Sequence, residues 1–220
     1  LDSADPLSPE AELALAWSRA AERGRLRCAL ELDRRLARIV ARTHEPMLGQ
    51  MRLAWWRDAL GKPIAERPRG DAVLDGLGEH WAGREAALAA MVDAWEVLVT
   101  AERLGPEEAA RFGAGRGAFF AALAPDDTAP ALAERLAGAG RCWALADAAA
   151  GVSDAGERAV LVAAGLEAAT LRGSARIPAA LRGLAVLEAL SLRALRSGGR
   201  PLMEGRSAPL AVIRAAIFRA

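Results

Sequence analysis

The sequence has no tyrosine, one lysine (Lys62), two cysteines and two histidines in 220 residues. Each scarcity narrows the possibilities. Cys28 and Cys142 lie far apart, without His or Cys neighbours, so a disulfide framework or a cysteine metal site is not expected; two small buried hydrophobes are. His44 and His80 each stand alone, without a second ligand at metal spacing, and fit surface or capping roles. β-branched residues are sparse and no run alternates with period two, which argues against a sheet. No stretch of 18 apolar residues is free of charge: Arg135 and Arg141 interrupt the nearest candidate, around 129–152, so no membrane span is expected. The opening "LDSADPLSPE" is polar and lacks the apolar core of a secretory leader, which points to a cytoplasmic protein. A net charge of +1 supplies no field that would draw nucleic acid, and no nucleic-acid partner is expected.

What is abundant is helix-forming. The chain is 53% hydrophobic and 26% charged, with alanine, leucine, arginine and glutamate dominant, which supports a packed all-α protein. Ser8, Pro9, Glu10 and Glu12 mark a helix start. Gly24 is expected to break the chain before "RLRCALELDRRLARIVAR", where Leu26, Leu30, Leu36 and Val40 form a helical stripe. Glu45-Pro46 opens a helix to about Leu60, and "GKPIAERPRGD" is the clearest loop. Further helices are expected near 71–80, 83–100, from Pro106, and from the "PDDTAP" loop to about Ala150. Gly151, Gly156 and "RGSARIP" punctuate the last third, before helices near 178–196 and from Ser207. Eight or nine helices with short connections, in a single domain over 1–220, are expected.

Most candidate chemical motifs have ordinary readings. "GAGRG" (113–117) has no preceding strand and no Gly-Lys-Ser/Thr; its glycines suit the close approach of a neighbouring backbone better than a phosphate. Asp71 and Asp75 have the i, i+4 spacing of a carboxylate pair but sit at a helix start. Asp126 and Asp127 lie in a proline-flanked loop, and Asp154 with Glu157 fits a solvated turn. In "HEPMLGQMRLAWWRDAL", Met47, Leu48, Met51, Trp55 and Ala59 cover one helix face and Leu53, Trp56 and Leu60 much of the other. This pattern predicts an enclosed, central helix with both tryptophans buried and Arg52 over the Trp56 indole or paired with an acid. In the final helix, Leu210, Ile213, Ile217 and Phe218 share a broad side flanked by Arg206, Arg214 and Arg219. That side can lie on an anionic bilayer, but closing the bundle is the simpler expectation.

The stretch "EPMLGQMRLAWWRDAL" resembles the squalene/phytoene synthase family, the head-to-head prenyl transferases, and most closely its bacterial and mitochondrial branch. "LRCALELDRRLARIV", "RFGAGRGAFFAALA", "GRCWALADAAAGVSD" and "IPAALRGLAVLEALSLRAL" are similar to further family helices. The resemblance implies an isoprenoid-synthase-like helical bundle in which two helix-borne aspartate motifs hold magnesium and prenyl diphosphates. It places those motifs at Asp33 and at Asp147–Asp154, and it makes Arg52, Trp55, Trp56, Asp33 and Asp147 pocket candidates. The chain departs from the pattern. Asp33 has no paired carboxylate, Gly151 stands where a metal-binding aspartate is expected, and an Arg-rich stretch with its tyrosine is missing. The resemblance therefore implies a divergent member without catalytic residues, metal or other cofactor. Such a member keeps an apolar helical cavity for a lipid or isoprenoid ligand, or for a protein partner, as in the branch that assists assembly of respiratory complex I. A peripheral membrane contact, not an integral one, fits this reading, at the inner membrane. The alternative is an active prenyl transferase with rearranged magnesium ligands.

Overall fold

A computed structural model describes residues 6–43 and 45–218. Among them the chain forms α-helices and two single 3-10 turns, with no strand. The helices are α1 (Pro9–Trp17), α2 (Ala20–Arg42), α3 (Pro46–Gly61), α4 (Ala72–His80), α5 (Glu85–Thr100), α6 (Pro106–Gly117), α7 (Phe119–Ala122), α8 (Pro130–Gly151), α9 (Ala155–Leu171), α10 (Arg182–Arg196) and α11 (Ala208–Phe218). One apolar core runs through them, from Ala11 and Leu15 to Val212 and Ala216. None of the described helices is long and apolar enough to cross a membrane.

The helix count exceeds the expected eight or nine because α9 occupies the stretch that Gly151 and Gly156 are expected to punctuate and α7 is an extra turn. The glycines explain where helices continue. Gly24 does not break the chain but lies inside α2, where a Cβ would stand 2.8 Å from the His80 ring. It is a close-packing glycine; the corner comes earlier, at Ser18. Gly156 and Gly165 likewise sit inside α9, and a Cβ on Gly165 would meet the Leu195 side chain at 2.6 Å. The short turn α7 adds one more element before the "PDDTAP" loop.

Many of these helices end without a glycine in the left-handed region; positive φ occurs only at Gly70, Gly83, Gly198, Gly199 and Gly205 among the described residues. Their last carbonyls still need donors, and arginines provide them. Arg23 donates to Leu15 O and Ser18 O after α1. Arg67 donates to Leu60 O and Lys62 O at the end of α3, and pairs with Glu85. Arg84 reaches Ala122 O and Ala124 O after α7, and Arg158 reaches Ala149 O and Val152 O after α8. A planar fork of five donors suits this task, since it can meet two diverging carbonyls at once.

The tryptophan helix α3 lies at the edge of the bundle, packed on α5 and α2. Its Leu53, Trp56, Ala59 and Leu60 face is buried. The opposite stripe is not: Met47 is 71% exposed, Met51 62% and Trp55 44%. The expectation of an enclosed helix is corrected here, because none of the described elements covers that side. Trp55 meets Trp56 edge-on at 5.1 Å. Arg52 does not lie over Trp56 but donates to Thr43 Oγ1 at 3.1 Å. Arg57 ties α3 to α5 through Asp93 and Glu96.

The last helix also corrects its expectation. Ala208, Val212, Ala215 and Ala216 face the core, whereas Leu210 and Ile213 are 68% and 48% exposed. His44, Arg219 and the side chains of Ile217 and Phe218 lie outside the described residues.

Two predictions follow from burial. Trp56→Ala is expected to cost about 3–5 kcal/mol, as for a core aromatic, and Trp55→Ala about 1 kcal/mol or less. Urea melts that give the two equal costs would contradict the placement of α3. Burial, then Glu31 and Glu79, push the Cys28 thiol up to about 11. Burial and Glu188 do the same for Cys142, also to about 11. At about pH 8 a free cysteine is partly thiolate, but these two stay protonated, so a disulfide reagent should label neither until urea unfolds the chain.

Candidate functional site

Four helices each bring a chemically distinctive side chain to one point. On α2, Leu26, Ala29, Leu30 and Leu36 are buried at helical spacing, and Asp33 occupies the same stripe, only 5% exposed. On α6 the buried face runs Ala109, Phe112, Gly113, Arg116, Gly117, so a guanidinium stands in an apolar row. Trp95 on α5 and Trp143 with Asp147 on α8 complete the group.

The geometry centres on Arg116, which is 2% exposed. Its Nε donates to Asp33 Oδ1 at 2.8 Å and its Nη2 to Asp33 Oδ2 at 2.7 Å, a two-point fork. The same Nη2 donates to Asp147 Oδ2 at 2.6 Å, and Nη1 donates to Ala144 O at 3.1 Å. Asp33 Oδ1 also accepts from Trp95 Nε1 at 2.9 Å. The guanidinium carbon lies 4.7 Å from the Trp95 ring centre and 4.5 Å from that of Trp143, and Phe112 is 5.6 Å away. Trp143 in turn stacks on Phe120. Burial works against the charge on Arg116, but Asp33 and Asp147 more than offset it, so its pKa is raised above the ordinary arginine value. Fork hydrogen bonds and aromatic faces are the two arrangements a guanidinium favours, and here it has both.

α6 and α8 must touch for Arg116 to reach Asp147. Gly117 and Gly140 permit it: a Cβ on Gly117 would fall 2.3 Å from the Gly140 carbonyl carbon. Gly115 similarly admits the Ala90 carbonyl, 2.5 Å from its ideal Cβ. Gly115 and Gly117 of "GAGRG" thus serve backbone approach, as their context suggested, while Gly113 makes room for the Leu145 side chain.

Of the five pocket candidates, the structure brings together Asp33 and Asp147. They line a cleft of about 70 Å³, closed on one side by Leu7, Ser8, Glu10 and Ala11. Ordinary small-molecule pockets begin near ~300 Å³. Arg52, Trp55 and Trp56 do not line this cleft. Trp56 is in the core, and the other two are on the surface. Sequence reasoning missed Arg116, Trp95, Trp143 and Phe112. The available signal was a charge at a core-facing position of α6, four residues after Phe112.

Magnesium is the cofactor that an aspartate pair on two helices would imply, and the residues do not fit it. The ion requires octahedral oxygen ligands at about 2.0–2.1 Å, while the facing oxygens of Asp33 and Asp147 are held by one guanidinium. Gly151 is exposed with open space around it, and Asp154 caps α9 by accepting from Glu157 N at 2.8 Å. Asp71 caps α4, and Asp126 pairs with Arg84. Among the described residues no three His, Cys, Asp or Glu side chains are grouped to hold a metal ion.

Removing one partner of a buried ion pair strands the other. Arg116→Ala should therefore destabilise the protein by about 3–5 kcal/mol, and Asp33→Leu combined with Arg116→Met should recover at least half of that loss. Urea melts of the three proteins check this; an additive double variant would mean the pair is not coupled. No protein-family model, no curated protein and no solved structure matches the chain.

Proposed function

We propose that this protein is a divergent bundle of the squalene/phytoene synthase type, without prenyl transferase activity, that acts by binding a lipid, an isoprenoid or an assembly partner. The observation that carries the reading is the Arg116 guanidinium between Asp33 and Asp147. The resemblance assigns these carboxylates to two separate helices facing one site, and their meeting on Arg116 supports that alignment. A transferase of this type ionises a diphosphate by neutralising it with metal held by carboxylates. Here a side chain of the protein itself supplies the positive charge, and four of its five donors are already used. A diphosphate approaching Asp147 would meet net carboxylate charge, since Glu10, Asp33 and Asp147 line the cleft against the guanidiniums of Arg34 and Arg116.

The space for an apolar ligand lies elsewhere. A groove of about 630 Å³ between α6, α8 and α9 is walled by Ala110, Leu145, Val160, Ala163 and Ala164, with Arg141 at its rim. This is the size and lining of an ordinary ligand site, and it supports a long-chain lipid or isoprenoid as occupant.

The test is to incubate purified protein with farnesyl or geranylgeranyl diphosphate, magnesium and reduced nicotinamide cofactor. No condensation product and no released diphosphate are expected. A labelled prenyl alcohol should be retained by the wild type and released by Ala163→Trp, which fills the groove. Turnover lost in Asp147→Asn would overturn the proposal and restore a working transferase.

A further inference from the structure

The end of α10, the loop after it and α11 carry an uneven charge. Residues 189–218 contain five arginines (193, 196, 200, 206 and 214) and one carboxylate, Glu204, an excess of four in a chain whose total is +1. Two of the five are engaged. Arg200 pairs with Glu204 at 3.2 Å. Arg193 donates to Leu202 O at 2.6 Å and to Ser207 Oγ at 3.4 Å, which fixes the loop against α10. Arg196, Arg206 and Arg214 are exposed, and among the described residues none of them joins an ion pair.

These cations share their face with large apolar side chains. α11 buries Ala208, Val212 and Ala215, so Leu210, Ile213 and Arg214, at i, i+3 and i+4, point the other way. Between α10 and α11 runs a groove of about 360 Å³ lined by Arg193, Arg196, Arg214, Ser197, Ser207 and Leu210. Arginine forks and serine hydroxyls are the donors that hold a phosphate oxygen. The bare stripe on α3 differs. Met47, Met51 and Trp55 sit among Glu45, Arg52, Asp58 and Lys62, charges of both signs, which select no partner.

We infer that the α10–α11 face docks on an anionic phospholipid surface. Headgroup phosphates enter the groove between Arg196 and Arg214, and Leu210 and Ile213 reach the acyl boundary. An amphipathic face with cations beside exposed apolar side chains is what such a surface binds. A soluble acidic partner would answer the arginines but give Leu210 and Ile213 no apolar cover. The inference rests on this surface alone and not on the functional reading above.

Vesicle flotation of the purified protein tests it, using phosphatidylcholine with and without a phosphatidylglycerol fraction of about a third, at about 0.05 M and 0.5 M salt. The wild type should float with the anionic vesicles at low salt, remain at the bottom with neutral ones, and be released at high salt. Arg196→Gln with Arg214→Gln should lower partitioning roughly 25-fold, about fivefold for each arginine. Leu210→Ser with Ile213→Ser should also lower it while leaving the thermal melt unchanged, because both side chains are exposed. Failure to float at low salt, equal binding to neutral vesicles, or variants that bind like the wild type would overturn the inference. So would capture by polyglutamate without flotation, which would place an acidic protein on this face.

Discussion

The arrangement depends first on one guanidinium taken out of water. Arg116 is buried between two tryptophan rings, and removing such an ion from water is costly unless its donors are answered. Four of its N–H groups are answered, three by carboxylates and one by a carbonyl. Those partners come from α2 and α8, and the tryptophans from α5 and α8. A single side chain on α6 therefore fixes the relative positions of four helices. The requirement works in both directions. The carboxylate of Asp33 is as buried as the arginine and would be equally costly alone. A second buried carboxylate follows the same rule further along the chain, where Glu188 on α10 takes Arg135 from α8 and Arg172 from the end of α9.

The same geometry bears on chemistry. A divalent ion at two carboxylates leaves coordination positions free for substrate oxygens, and that openness is what makes it a Lewis acid. A guanidinium has no coordination positions to offer, and four of this one's five donors are already held inside the bundle, so its charge is structural. The aromatic walls add to this, because Trp95, Trp143 and Phe112 pack around the guanidinium and close it off on those sides. The small cleft that remains opens toward Asp147, whose side chain is 36% exposed, which leaves the net negative charge of the triad in contact with water.

Much of the helical plan was legible because it is written in local signals. Prolines at the first turns of α3, α6 and α8, and Asp71 as the cap of α4, are caps whose effect reaches only a few residues. The errors came where tertiary contact decides. Gly24 and Gly156 look like breaks in one dimension, but Gly24 is the seat of His80, and Gly156 lies inside α9, past its Asp154 cap. Periodicity showed that α3 has two apolar faces and could not say which one α5 would cover. In the site, Asp33 and Asp147 carry no pair spacing of their own and came forward only through the resemblance. Arg116 did not come forward, because a residue read as solvated by type is buried only when two carboxylates from distant sequence converge on it.

The near-absence of lysine acquires a physical meaning in the fold. A bundle of short helices leaves many terminal carbonyls, and here donors come from arginines elsewhere in the fold rather than from left-handed glycines. Arg23, Arg67, Arg84 and Arg158 each reach two carbonyls. An ammonium on a flexible stem has no planar fork to place two donors at once. Arginine thus does three jobs that depend on geometry: clamping helix ends, filling the Asp33–Asp147 site, and joining Glu188 to its neighbours. Around α10, α11 and the loop between them the arginines divide between two conditions. Arg193 fixes the loop through one carbonyl and the Ser207 hydroxyl, whereas Arg196, Arg206 and Arg214 have neither carbonyl nor carboxylate partners among the described residues. What sets this cluster apart is its setting, since three outward-facing arginines stand beside exposed Leu210 and Ile213 with Glu204 the one carboxylate in residues 189–218, and it marks the surface where the bundle's own contacts stop and a partner's would begin.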